Sequence, residues 1–307
     1  MTLTLFIEQI LNGLQLGIML FLMAAGLTLI FGVMGLINLA HGSLFMVGGF
    51  VCAAVAAWTG SFWLGLAAAL AAAAAGALVE VAVIRRLYDR DHLDQVLATF
   101  ALVLMFSEAT RYVFGSFPLY LDPPAALAGP VMLPGGIAYS AYRLAIIVAG
   151  LAVGAFLWLL IAHTRIGIQI RAGEADREMI AALGVDIRML YTLVFALGAG
   201  LAGLAGAMVG AIQSVQVGMG EPVLILAFVV IVIGGIGSIR GALLAAVLVG
   251  LVDTMGRFLL PLLLLGVMEP ASARGTGAAL ASMLIYVLMA LVLIVRPKGL
   301  FPAPGAP

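Results

Sequence analysis

Runs of about twenty apolar residues, parted by short clusters of glycine, proline and charge, fill most of this 307-residue chain. A helix needs about that length to cross a hydrocarbon layer about 30 Å thick. Read this way, the pattern predicts about nine crossings: residues 6–34, 37–58, 62–84, 96–115, 143–164, 190–212, 222–236, 241–260 and 279–295. Hydrocarbon offers no partner to an unpaired backbone N–H or C=O, so α-helices are expected. The expected fold is an all-α integral membrane protein, a polytopic helical bundle of about 8–10 transmembrane helices forming one domain over residues 1–307. Two boundaries depart from the pattern. The turns at 34–37 and 234–241 are too apolar for surface loops, which predicts short or broken helices near 34–42 and 234–241. Such breaks are tolerated at membrane depth only against protein or a cavity.

Composition removes the soluble alternative. Hydrophobic residues make up 65% of the chain and charged residues 9%, against roughly 25% charged in a soluble domain. Fourteen basic and fourteen acidic residues cancel, so no basic surface for nucleic acid is expected. The single cysteine, Cys52, excludes an intrachain disulfide and any multi-cysteine metal site, and its apolar run marks it as a small buried hydrophobe. The single lysine, Lys298, sits in Arg296-Pro297-Lys298-Gly299 and not in a Gly-Lys-Ser/Thr phosphate loop. The chain is therefore not expected to be an enzyme or to hydrolyse ATP through such a loop. No Lys or Arg precedes Arg85, so the first apolar run lacks the basic region of a signal peptide and is expected to remain as a span.

Charge also orients the bundle. Alternation through nine crossings puts the loops at 85–95, 165–188, 237–240 and 296–307 on one side, with ten of the basic residues. Arg111, Arg143, Arg257 and Arg274 fall on the other. The excess predicts that the first set is cytoplasmic, the N-terminus outside and the C-terminus inside.

Four groups of residues stand out within this frame. The first is the loop at about 165–188, where charge concentrates: Arg171, Glu174, Asp176, Arg177 and Glu178. Residues 174–183 are good helix formers with acids early and Gly184 placed to end the helix; Met179, Ile180 and Leu183 would form its apolar face. A short amphipathic helix of this kind suits docking to a soluble partner, although a plain solvated loop carries the same charge. The second is Gly198-Ala-Gly200-Leu-Ala-Gly203, a formal dinucleotide fingerprint inside an apolar helix, where no strand-to-helix turn can form. Gly206 and Gly210 extend it, and Gly13 and Gly17 share its spacing. Small residues so spaced let membrane helices approach closely, so Gly200, Gly203, Gly206 and Gly210 are read as packing positions. The third is a scatter of polar residues within the spans, namely Gln15, Asn38, His41, Glu108, Arg111, Gln213 and Gln216. Such residues are costly in a bilayer and are candidates for a pathway or for bonds between helices. His41 has no cluster of carboxylates or thiols to form a metal site with it. The fourth is a pair of segments: residues 35–44 align with 234–243 at four identical positions in ten, as glycine and leucine abundance alone could produce.

Three stretches together carry a family resemblance. Gly26-Leu-Thr-Leu-Ile-Phe-Gly32-Val-Met-Gly-Leu-Ile-Asn38-Leu-Ala-His41-Gly42 resembles the N-terminal signature of branched-chain amino acid ABC transporter permeases of the leucine/isoleucine/valine type. Arg171-Ala172 through Gly184, with Phe195 and Ala202–Gly206, is similar to that family's coupling segment and following helix. Gly234-Gly-Ile-Gly-Ser-Ile-Arg-Gly241 and Arg296-Pro-Lys-Gly-Leu-Phe301 resemble its C-terminal signatures. The resemblance implies a permease subunit of an ATP-driven importer in a bacterial inner membrane. Its partners would be a second permease, usually a different related chain, two cytoplasmic ATP-binding subunits and a periplasmic substrate-binding protein. The chain itself would hold no cofactor, since ATP binds the partner ATPases. Permeases for urea, short amides and aromatic acids share these motifs, so the resemblance leaves the substrate among them.

An ion-coupled secondary transporter or channel would need charges near mid-membrane, whereas nearly every charge here maps to loops or helix ends. A structural scaffold explains neither the breaks nor the charged loop. For the breaks, two readings stand: Asn38, His41, Gly237 and Ser238 flank a gated route, with Gln213 and Gln216 further along it, or they only bond neighbouring helices.

Overall fold

The computed structural model describes residues 3–88 and 90–301. Arg177 is described in its backbone alone, so the part expected of its side chain lies outside the described residues, as do residues 302–307 of the last predicted loop. The order of helices is α1 (Leu3–Met34), α2 (His41–Thr59), α3 (Phe62–Ala69), α4 (Ala71–Ala82), α5 (His92–Phe114) and α6 (Ala141–His163), then α7 (Arg165–Ala175), α8 (Arg177–Ala182), α9 (Ile187–Gly210), α10 (Gly220–Gly234), α11 (Ile239–Leu264) and α12 (Pro270–Val295). A small antiparallel hairpin, β1 (Pro130–Leu133) with β2 (Ile137–Ser140), which the hydropathy pattern did not mark, sits between α5 and α6.

Among the described residues, eight helices are long and apolar enough to cross a membrane, α3 and α4 counting as one with the turn to Arg86. The protein is a multi-pass helical bundle. Its centre is α1 and α9, with 83% and 78% of their most apolar windows buried, while α12 has 11% and turns its leucines and valines outward. That division follows from side-chain size. α9 carries Gly198, Gly200, Gly203 and Gly206, so neighbours reach its backbone, whereas the outward faces of α5, α6 and α12 are apolar and suit a lipid surround.

The crossing expected at 222–236 is different in kind. α10 has 15 residues, about 22 Å of helix, and falls short of a hydrocarbon layer. Residues 211–219 precede it as non-helical chain, held by mutual backbone bonds of 2.8 and 2.9 Å between Val215 and Leu119. Gly218, at φ +89°, and Pro222, confined to the first turn of a helix, stop α9 from continuing into α10. Hydropathy leaves residues 213–221 outside its runs but counts the short run after them as a full crossing.

The breaks expected near 34–42 and 234–241 are present. α1 stops at Met34, Gly35 takes φ +66°, and α2 starts only at His41; α10 stops at Gly234, and Gly235 and Gly237 take φ +101° and +81° before α11. At the end of the bundle that holds these turns, α4 is tied to α9 by Glu80. Its fully buried carboxylate accepts bonds from Arg85 Nε and Nη2 at 3.2 and 3.0 Å, Tyr88 Oη at 2.7 Å and Thr192 Oγ1 at 2.6 Å. Removing the acceptor leaves part-buried donors unsatisfied. Glu80→Ala is expected to lower the apparent Tm by roughly 5 °C or more, and Glu80→Gln by less, as read by thermal unfolding in detergent. An unchanged Tm for Glu80→Ala would show that this network does not hold α4 to α9.

One charge departs from the expected placement in loops and helix ends. Asp253, 7% exposed, lies within α11, where Arg257 Nε donates to both its oxygens at 2.9 and 3.0 Å and Arg257 Nη2 reaches Ser282 Oγ on α12 at 3.1 Å. The pair is complete one turn apart on a single helix. It is suited to joining α11 and α12, not to relaying an ion.

Candidate functional site

The three signature stretches meet at one end of the bundle. A Cβ placed on Gly32, in the last turns of α1, would lie 3.0 Å from the Gly237 Cα and 3.2 Å from Glu174 Oε1. The backbones of the α1 end and the α10–α11 break and the Glu174 side chain of the charged loop therefore converge there. The C-terminal signature closes the group. Leu300 and Phe301 donate their N–H groups to the carbonyls of Ile233 and Gly234, at 2.8 and 2.9 Å. These are carbonyls at the end of α10, where a helix leaves acceptors without partners of its own. Gly299, at φ +81°, permits the approach, because any Cβ there would stand 2.5 Å from the Gly235 nitrogen. Ser238 Oγ accepts the Gly241 N–H at 3.1 Å and caps the start of α11.

The charged loop forms two short helices where one was expected over 174–183. The interruption is at Asp176, which takes φ −157° and ψ 98°. Its Oδ1 accepts the N–H groups of Glu178 and Met179 at 3.0 and 2.9 Å, starting α8 afresh. A short carboxylate competes with the helix for backbone donors, which a tally of helix formers cannot register. At the other end of α8, Val185 N–H reaches the Ile180 carbonyl at 3.3 Å and Gly184 N–H the Ala181 carbonyl at 3.0 Å. Gly184 is at φ +88°, so this is a Schellman stop. The expected apolar face is divided: Ile180 is 5% exposed and packs inward, whereas Met179 is 59% and Leu183 77% exposed. Arg171 is exposed and donates to the Ile161 carbonyl; Glu178 is also exposed. Glu174 is half-buried beside Gly32, and burial pushes its carboxyl above the ordinary carboxylate range. A cleft of about 400 Å³ separates α7–α8 from the end of α1, with Gly35, Glu174, Asp176 and Glu178 on its walls.

A second cavity, of about 360 Å³, opens in the other half of the bundle. It reaches Asn12 of α1, which is about 33 Å along that helix from Met34. Its lining includes the apolar side chains of Met19, Leu20, Phe45, Val223 and Leu226. The polar residues of the same lining include Asn12, Gln15, Arg143 and Gln213, and Gln15 touches Met19 one turn along α1.

Comparison with known proteins decides what kind of protein this is. The family described as branched-chain amino acid transport system / permease component matches residues 9–293. The chain belongs to that family. It is 30% identical over 97% of its length, and 96% of the relative's, to the high-affinity branched-chain amino acid transport system permease protein BraD of Pseudomonas aeruginosa. It is 28% identical, with the same coverage of both chains, to the permease protein LivH of Escherichia coli. A probable branched-chain amino acid transport permease protein LivH of Methanocaldococcus jannaschii is 25% identical over 92% of this chain and 88% of its own. No solved structure matches the chain.

In this permease the residues singled out along the sequence fall into separate places. Asn38 and His41 are fully buried. Asn38 Oδ1 accepts the Ala40 N–H at 3.0 Å and His41 Nε2 lies 3.3 Å from the Met23 carbonyl oxygen. In this conformation they bond the α1–α2 break to itself and to α1, and neither lines the two cavities above. Gly237 and Ser238 join the signature cluster instead. Gln213 is exposed on the second cavity, and Gln216 is exposed on the non-helical chain before α10. Gly203 and Gly206 face α2, α3 and α4 closely, Gly200 faces Ala73 of α4, and Gly210 faces Val215 of the following chain. Glu108 and Arg111 pair with each other at 2.8 Å near the end of α5, both exposed. Arg143 and Asn12, which line the second cavity and bond each other, were not among the residues singled out. Arg143 counted in the sequence only as one outer charge, and nothing along the chain shows that α6 sets it beside α1.

Proposed function

We propose that this permease is one of two membrane subunits of an ATP-driven importer that takes up branched-chain amino acids. Its partners in this reading are a second, related permease, two cytoplasmic ATPases that bind ATP, and a periplasmic binding protein. The loop end of the bundle faces the cytoplasm, as the excess of arginine in residues 85–95 and 165–188 favours. The observation that carries the reading is α8, capped at both ends and turning Met179 and Leu183 outward at the end of the bundle where α1, α10 and the C-terminal signature meet. A partner that moves α7–α8 pushes directly on the two helix breaks through the Glu174–Gly32–Gly237 contact. The family and the names of its relatives support the substrate class.

The test is reconstitution of the permease with its ATPases, second permease and binding protein in proteoliposomes. Uptake of labelled leucine, isoleucine or valine is expected to need ATP and to continue with a protonophore and valinomycin present. Uptake without ATP that these ionophores abolish would overturn the reading in favour of an ion-coupled transporter.

A further inference from the structure

Arg143 is the one cation on the second cavity, and its charge is unopposed. Its Nη1 donates to Asn12 Oδ1 at 2.8 Å and to Gln15 Oε1 at 3.4 Å, both neutral amides. Asn12 Oδ1 also accepts from Tyr139 Oη at 3.2 Å, which fixes the amide that fixes the guanidinium. None of the ion pairs among the described residues includes Arg143, and its Nε and Nη2 make no hydrogen bond there. Every other arginine that lies within a span or at its outer end and makes a polar contact has a carboxylate: Arg111 has Glu108 and Arg257 has Asp253. A half-buried guanidinium with a free edge, on a cavity whose other lining is mostly apolar, suits a ligand carrying an anion at one end and a hydrocarbon group at the other. The planar fork of arginine pairs two N–H groups with the two oxygens of a carboxylate.

We propose that this cavity is a binding site for the α-carboxylate form of an aliphatic amino acid in transit, with Arg143 holding the carboxylate. Asn12 and Gln15 act as positioning residues. The aliphatic group lies against Met19, Leu20, Phe45, Val223 and Leu226, which carry no charge and no side-chain donor. The inference rests on the importer reading and adds to it a station inside the membrane subunit, at which the acid is distinguished from its amide.

Gln213 lines the same cavity and is exposed, so a cysteine there reports occupancy. In a Cys52→Ala background, Gln213→Cys is reacted with a small water-soluble thiol reagent in the reconstituted, nucleotide-free complex, and ATP-driven leucine uptake is measured on the same vesicles. L-leucine and 4-methylpentanoate are expected to slow labelling, and L-leucinamide, without a carboxylate, is not. Arg143→Gln should raise the L-leucine concentration for half-protection about tenfold or more, the size of a lost charge-assisted pair. Arg143→Lys should keep protection while weakening it less. Equal protection by leucine and leucinamide, or full protection in Arg143→Gln, overturns the proposal. So does a lack of protection in vesicles that take up leucine, and the importer reading then stands. Vesicles that use ATP but take up no leucine count against the substrate reading alone. In them, protection by carboxylates over their amides, lost in Arg143→Gln, still supports the role of Arg143, and its absence ends that role.

Discussion

Gly206→Leu is expected to leave almost no assembled permease, with the loss appearing in folding and not in substrate choice. A Cβ at Gly206 falls on the carbonyl of Phe45 in α2 and lies 3.2 Å from the Gly49 nitrogen. Both are backbone atoms, so no rotamer change relieves the clash; α2 and α9 must separate. One turn earlier on the same broad face of α9, a Cβ at Gly203 would stand 2.5 Å from the Ala72 Cβ and 2.7 Å from the Ala69 carbonyl oxygen. α9 is therefore at backbone contact with α2 and with the α3–α4 crossing, and Gly198 brings it equally close to Gly26 of α1. Overpacking in a core that can relax costs about 1–3 kcal/mol, and a core clamped at backbone contact should exceed that. Gly275→Ala is the contrast. Nothing lies within 4 Å of an added Cβ there and its backbone is ordinary helix, so the change should stabilise α12 by up to about 1 kcal/mol. Size-exclusion profiles and thermal unfolding in detergent separate the two. A monodisperse Gly206→Leu protein with the parental Tm would mean that α2 and α9 do not touch at this glycine.

The contrast between those glycines also shows where a sequence stops being legible. Spacing marked Gly203 and Gly206 as packing positions because small residues recur on one helical face. It could not mark Gly48, which meets Gly203 from α2, since nothing in α2 names its partner. Lengths of apolar runs gave the crossings because the bilayer sets one scale for all of them. The same measure failed at α10, where the apolar run at 222–236 passes for a crossing although its helix of 15 residues is too short to span. The breaks at Gly35 and Gly235–Gly237 were readable because glycine clusters there while hydropathy stays high. Their union with Arg296–Phe301 was not, since two N–H groups meeting two carbonyls depend on the path of the whole chain. Arg143 is the sharpest case. As a sequence position it is a charge near a helix start; its free edge on an apolar cavity exists only once α1, α6, α9 and α10 are assembled.

The double change Met179→Asp with Leu183→Asp is expected to reduce substrate-stimulated ATP hydrolysis to the basal rate while the permease remains folded and inserted. These side chains are 59% and 77% exposed on a helix outside the apolar spans, so their loss removes few contacts within the chain. What they offer is an apolar pair on a rigid support. Asp176 fixes the start of α8 and the Gly184 turn fixes its end, so the two side chains are already in place when a partner arrives. Docking then loses little conformational freedom, and two desolvated side chains can dominate the affinity of a small interface. Charge reversal at Glu174 and Asp176 is a poorer test. Asp176→Lys removes a cap worth about 1 kcal/mol, and Glu174 is half-buried against Gly32. A loss of coupling there would not distinguish a broken loop from a broken interface. Ile180→Asp supplies the control for the fold, because Ile180 is 5% exposed and packs inward; it should lower the Tm, which the outward pair should leave within about 2 °C. The measurement is ATP hydrolysis by the reconstituted complex with and without loaded binding protein, beside co-purification of the ATPases. Full stimulation in the Met179→Asp, Leu183→Asp protein would remove α8 from the contact and shift the search to the acidic cleft between α7 and the end of α1.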